Sequence, residues 1–269
     1  MKRRQTWGAL RQYLHRVAPL TIVVKEVSGA IVRGMTDREN SVGRKLQILG
    51  GFTASGLRLA AGTTVGKLGP RPEKVLTLWD FERCPHSRVV REALSTLDLD
   101  AHVRPCPRGG TRFRPELEGS GVPRLEDPNA AVRLSGSSLI VRHLYARYGA
   151  TPPPGLLNLT SVRIVTGLGV RLLTGGRGAN AQPSRAPEQP LELWSFEASP
   201  YCRFVRAKLT ELELPYLLHN VAKASSRRAA FIAFSGKKQF PFLLDPNTGA
   251  KLFESLAIER YLDDTYRQR

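Results

Sequence analysis

Two short stretches carry residue types suited to thiol chemistry. Residues 78–94 read LWDFERCPHSRVVREAL and residues 193–209 read LWSFEASPYCRFVRAKL, a repeat at an offset of 115 residues. Cys84 opens C-P-H-S in the first, and Ser199 opens S-P-Y-C in the second. Each stands where an apolar strand pattern runs directly into a helix pattern, so its side chain sits at a helix N-terminus. The partial positive charge there, reinforced by Arg83 and Arg88, is expected to lower the Cys84 thiol pKa and raise its thiolate fraction. Pro85 suits the first helical turn because it has no N–H to lose. Two readings of Cys106 stand. It ends the next predicted strand, and in a parallel βαβ pair both strands end on one edge, so it either approaches Cys84 as a resolving thiol or packs at the strand end. Cys202, one turn into the second helix, reads as packing.

The elements that must position these residues follow from the same patterns. VLTLWDF (75–81) alternates as a half-buried strand, and SRVVREALSTLDL places Val89, Val90, Ala93, Leu94 and Leu97 on the apolar side of a helix. AHVRPC (101–106) is a short strand, RFRPELEGSGV a weak helix and loop, and VPRLEDP and AVRLS two strands about a D-P-N turn. A helix over 137–148 closes the unit. The second unit repeats the order with LELWSF, a helix over 201–212, YLLHNV, a helix over 226–234, FPFLLDP, a second D-P-N turn, AKLF, and a helix over 255–266. Each unit is β-α-β-α-β-β-α, a right-handed βαβ unit followed by a hairpin on one sheet. The chain thus divides into an extension (1–74), a first domain (75–149), a linker (150–190) and a second domain (191–269). FTASGLRLAAG (52–62) resembles VTGLGVRLLTGG (165–176), each a candidate short apolar helix ahead of the domain that follows it.

Charge is unevenly placed. The chain carries a formal net charge of +18, and residues 1–74 alone hold 14 basic and 4 acidic side chains, whereas the repeats are near neutral. The basic leader suits an anionic membrane surface or an acidic partner, or is a solvated tail; no specific nucleic-acid binding is expected. Its first helix is amphipathic, with Trp7, Leu10, Leu14 and Val17 on one face, but Arg11 and Arg16 interrupt any signal-peptide core. Three cysteines make no disulfide framework and suit a reducing compartment. A cytoplasmic location is expected, with organelle import as the alternative. No spacing describes a metal site, a Walker loop or a dinucleotide fingerprint.

The combined pattern resembles the thioredoxin-fold domains of glutaredoxins and of the glutathione transferase N-terminus, twice over. Three features carry the resemblance: the Cys/Ser-Pro-aromatic-type turn after the first strand, a proline opening the third strand, and an acid-Ser pair opening the last helix. The tandem order is similar to two-domain thioredoxin-like proteins of photosynthetic organisms. The helical second domain of ordinary glutathione transferases has no counterpart here. The resemblance makes Cys84 the nucleophile of a monothiol C-x-x-S site, since Ser87 stands where a resolving cysteine would be. It makes Ser199 either a hydroxyl that supports a glutathione thiolate or the remnant of a lost thiol. Pro123 and Pro241 match the family's cis-proline, which turns the backbone of Val122 or Phe240 toward a bound thiol peptide. Glu254 and Ser255 match a clamp for the γ-glutamyl ammonium and carboxylate, and also an ordinary cap. The first repeat has Gly136 and Ser137 there, so its acid is missing.

What the resemblance implies is a glutathione-linked thiol-disulfide oxidoreductase using Cys84, with glutathione as co-substrate and a disulfide-containing protein or small molecule as substrate. Two alternatives stay open: a non-catalytic binding module anchored by its basic leader, and a serine-type glutathione transferase using Ser199.

Overall fold

The computed structural model describes residues 62–153 and 177–268. The amphipathic leader helix and, Gly62 apart, the apolar segments at 52–62 and 165–176 fall outside the described residues. The first repeat comprises β1 (Leu76–Asp80), α1 (Pro85–Thr96), β2 (Ala101–Pro105), a 3-10 turn (Arg114–Leu117), β3 (Arg124–Asp127), β4 (Val132–Ser135) and α2 (Ser137–Tyr148). The second comprises β5 (Leu191–Ser195), α3 (Pro200–Glu211), β6 (Tyr216–Asn220), α4 (Arg227–Ser235), β7 (Phe242–Asp245), β8 (Ala250–Phe253) and α5 (Ser255–Tyr266).

Local chemistry accounts for most of these boundaries. Cys84 and Ser199 cap α1 and α3, with Pro85 and Pro200 in the first turns. The chain turns back after each helix through a residue of positive φ, Asp98 or Glu213. The weak helix expected in the first repeat is only a 3-10 turn, because Glu118 adopts φ 51 immediately after it and Gly119 follows at φ 80. Its counterpart RRAAFIAFS has neither break and forms α4. Both D-P-N turns work as clamps. Asn129 accepts from the backbone N–H of Glu73 and Lys74, and Asn247 from that of Gln189, so each turn fixes the chain just before the first strand of its repeat.

The repeats share one eight-stranded sheet in the order β4-β3-β1-β2-β6-β5-β7-β8. The join is antiparallel, with Ala101 opposite Leu218, His102 opposite Leu217 and Val103 opposite Tyr216. Ala101 is the repeat equivalent of Tyr216, and Val103 of Leu218, so the pairing maps onto itself about an axis between His102 and Leu217. It has the isologous form of a two-fold dimer contact within one chain. It also removes what would otherwise be two exposed sheet edges. A single apolar core runs through both repeats, from Leu76, Val90 and Leu144 to Leu193, Leu209 and Leu262.

Straps ahead of each repeat cross to the other. Val65 N–H donates to the Lys223 carbonyl and Lys223 N–H to that of Thr63. In mirror fashion Arg108 N–H donates to the Ala179 carbonyl and Ala181 N–H to that of Arg108. Residues 177–190, a linker by composition, are therefore tied down. Many of the bonds join backbone groups, which leave no side-chain pattern in the sequence.

Candidate functional site

The first repeat assembles Cys84, Val122, Pro123, Gly136 and Ser137 in one place. Cys84 closes a tight turn, its N–H donating to the Phe81 carbonyl at 3.0 Å, and its Sγ accepts from Ser87 N–H at 3.5 Å. The same sulfur lies 4.0 Å from the Val122 carbonyl, and the Val122–Pro123 bond is cis. Pro123 is tied to the start of α2, since its carbonyl accepts from Gly136 N–H at 3.0 Å. Ser137 Oγ then lies 3.5 Å from His86 Nδ1. This contact joins the first turn of α1 to that of α2. Cys84 is 7% exposed and so largely buried.

Cys106 occupies a different environment. It is fully buried with Trp79 and Leu117, and its Sγ donates to the Arg104 carbonyl at 3.4 Å. Burial, with Asp80 nearby, pushes its thiol far above the usual range. The three cysteines are free thiols.

The second repeat holds the equivalents of this site with other chemistry. Ser199 Oγ accepts from Cys202 N–H at 3.3 Å, so the hydroxyl caps α3 just as the sulfur caps α1. The Phe240–Pro241 bond is cis, and the Phe240 ring meets Phe196 edge to face at 6.4 Å. Arg228 lies over both rings, 5.1 and 5.9 Å from their centres. Glu254 precedes the buried Ser255 and accepts a hydrogen bond from Gln239. Its backbone stands at φ 67 and ψ 121, close to the φ 90 and ψ 133 of Gly136. A non-glycine residue there is strained, and such strain gathers at ligand clamps.

Together these observations describe two thioredoxin-like domains, each with a capped helix start facing a cis-proline. The chain matches the family described as glutathione S-transferase, N-terminal domain, over residues 78–153 and 193–269. The chain belongs to that family. It carries the glutathione S-transferase N-terminal domain twice, in tandem. No curated protein and no solved structure matches it.

The two glutathione transferase-type sites stay separate. β1 runs parallel to β2, β2 antiparallel to β6, and β6 parallel to β5. The first strands of the two repeats therefore point in opposite directions, and Cys84 and Ser199 leave opposite ends of the sheet. The thiol of one repeat does not share a site with Glu254 of the other.

Between the sites lies a buried ionic cluster. Arg91 pairs with Asp80 at 2.5 Å, with Glu82 at 3.3 Å and with Glu197 at 2.9 Å. Arg206 pairs with Glu82 at 2.9 Å and Glu197 at 3.0 Å, and donates to Ser195 Oγ at 3.1 Å. Both arginines are among the largest fully buried side chains. Burial alone would raise Glu197, but Arg206, Arg91 and Arg88 outweigh it and hold its carboxyl at about 2. The sequence carried one signal of this cluster: Glu82, Arg88 and Arg91 recur unchanged as Glu197, Arg203 and Arg206.

Proposed function

We propose that this chain is a glutathione-linked thiol-disulfide oxidoreductase whose nucleophile is Cys84. The observation that carries the reading is the placement of the Cys84 sulfur at the start of α1, against the Val122 carbonyl and beside Pro123. As thiolate, Cys84 attacks the glutathione sulfur of a mixed disulfide. The substrate sulfur leaves with the electron pair and takes up a proton. A second glutathione thiolate then attacks the Cys84–glutathione disulfide, which releases oxidised glutathione and restores the Cys84 thiolate. Ser87 in the third position after Cys84 favours this one-thiol cycle. Cys106 takes no part, because a deeply buried thiol of raised pKa is a poor nucleophile.

The second repeat supports binding rather than chemistry. Its nucleophile position holds a serine hydroxyl, which forms no disulfide, while Glu254 and Ser255 offer a carboxylate and a helix start to the ends of glutathione.

The test is glutathione-dependent reduction of a small mixed disulfide by the full chain. Cys84→Ser is expected to fall to background, while Ser199→Ala and Cys106→Ala keep wild-type turnover. No turnover in wild type, with Cys84 shown to be reduced, would overturn the proposal and leave the binding-module reading in its place.

A further inference from the structure

We infer that the second repeat positions the thiol of the first, with Arg206 acting through Glu82 on the turn that presents Cys84. The inference rests on the reading of Cys84 as the nucleophile. Phe81 and Cys84 close the turn by a backbone hydrogen bond, and Glu82 lies inside it. Arg206 grips that side chain from across the interface with two bonds, Nε to Oε2 at 2.9 Å and Nη2 to Oε1 at 3.3 Å. Arg203, also from α3, approaches the same carboxylate at 3.5 Å. The strap before the second repeat closes over it, since a methyl group added at Gly178 would lie 3.0 Å from the Glu82 Cβ. Glu82 is thus held on several sides, and most of its partners belong to the other repeat. Only Arg83 stands between it and Cys84, so a displaced Glu82 displaces Cys84.

The converse contact acts on the other turn: Arg91 of α1 binds Glu197 of the second repeat at 2.9 Å, and Glu197 sits in the mirror turn that ends at Ser199. Each repeat's helix arginine therefore fastens the other repeat's turn. This gives the second repeat a role that needs no thiol of its own. The mirror turn also supplies an internal control, because Glu197→Gln removes comparable ion pairs from the Ser199 side.

The experiment compares the rate of Cys84 alkylation by iodoacetamide, located by mass spectrometry, in the full chain as wild type, Glu82→Gln, Arg206→Lys and Glu197→Gln. All are compared where far-UV circular dichroism shows them folded. Glu82→Gln and Arg206→Lys are expected to shift the rate at Cys84 about tenfold or more, and Glu197→Gln by less than about threefold, as misplacement of a reacting atom by an ångström has effects of this size or larger. Arg206→Lys retains the charge and covers the case in which Glu82→Gln does not fold. In the mixed-disulfide assay the same variants should lose kcat while the KM for glutathione changes little. Equal rate changes in Glu82→Gln and Glu197→Gln, or none in either, would reduce the cluster to a device that only holds the fold. Absence of turnover in wild type would end the oxidoreductase reading, while the alkylation comparison would still decide this one.

Discussion

Position 104 of the first repeat and position 219 of the second are equivalent, and each places a nitrogen-bearing side chain over a first-strand tryptophan. Arg104 lies 5.1 Å from the Trp79 ring, and the His219 ring stacks on Trp194 at 4.2 Å. Arginine is always charged; histidine is charged only when protonated. Around His219 stand Glu192 at 2.8 Å on β5, Asp100 at 3.5 Å just before β2, Arg227 of α4 paired with Asp100, and His102 on β2. Burial alone would lower the His219 pKa, but hydrogen bonds to Asp100 and Glu192 outweigh it and raise the value above 6.5. A raised folded value means that this contribution to stability is complete below the unfolded pKa and is lost as pH rises through the folded one. His102, lowered mainly by burial, contributes a slope of opposite sign. The urea midpoint of wild type should therefore lose, on raising pH above 6.5, a component that His219→Arg lacks. Identical pH profiles for the two proteins would contradict the assignment.

At the level of elements, α2 and α5 begin with nearly the same backbone geometry but a different residue at the cap. Gly136 holds its positive φ without a Cβ, and nothing lies within 4 Å of where one would be. Glu254 holds nearly the same conformation with a side chain, at a cost of roughly 1–3 kcal/mol for a sparsely populated backbone region. Glycine in its place gives back about 0.5–1 kcal/mol through a freer unfolded chain. Glu254→Gly is therefore expected to stabilise the protein by about 1 kcal/mol, in the range common for strain relief at functional positions. Under the proposed function it should also weaken glutathione binding. A lower urea midpoint for Glu254→Gly would show that the Gln239–Glu254 contact outweighs the strain.

On the scale of the molecule, one core and one sheet bind the repeats into a single folding unit. Leu209 is fully buried in the second repeat and belongs to the cluster that includes Leu76 and Leu144 of the first. Truncation at such a site costs about 2–5 kcal/mol. In a chain of independent domains Leu209→Ala would shift only the second transition. Here it is expected to lower the midpoint seen at both Trp79 and Trp194, in one coincident transition. Two separated transitions, recorded in proteins keeping one of these tryptophans at a time, would count against it. The ionic cluster strengthens the expectation. Removing one partner of a buried, hydrogen-bonded pair costs about 3–5 kcal/mol, and Glu82 and Glu197 each bind arginines from both repeats.

The repeat, the order of its elements and the identity of the capped helix starts were legible in the amino-acid sequence. These are local properties: alternating apolar residues in LELWS, helical spacing in SLAIERYL, Pro85 and Pro200 after their caps, and paired D-P-N turns. The expected spans of α2, β8 and α5 coincide with those found. Gly136 at the position where the second repeat has Glu254, and Ser199 where the first has Cys84, were visible as well. The joining of β2 to β6, the crossing straps and the burial of Arg91 and Arg206 were decided only by tertiary structure. A strand edge carries the same backbone groups whichever strand it meets, so no residue type marks its partner. An arginine reads as solvent-facing until carboxylates from more than 100 residues away surround it, as Glu197 does for Arg91. Burial of such charge is tolerable only when those partners arrive together, and that depends on the fold of both repeats at once.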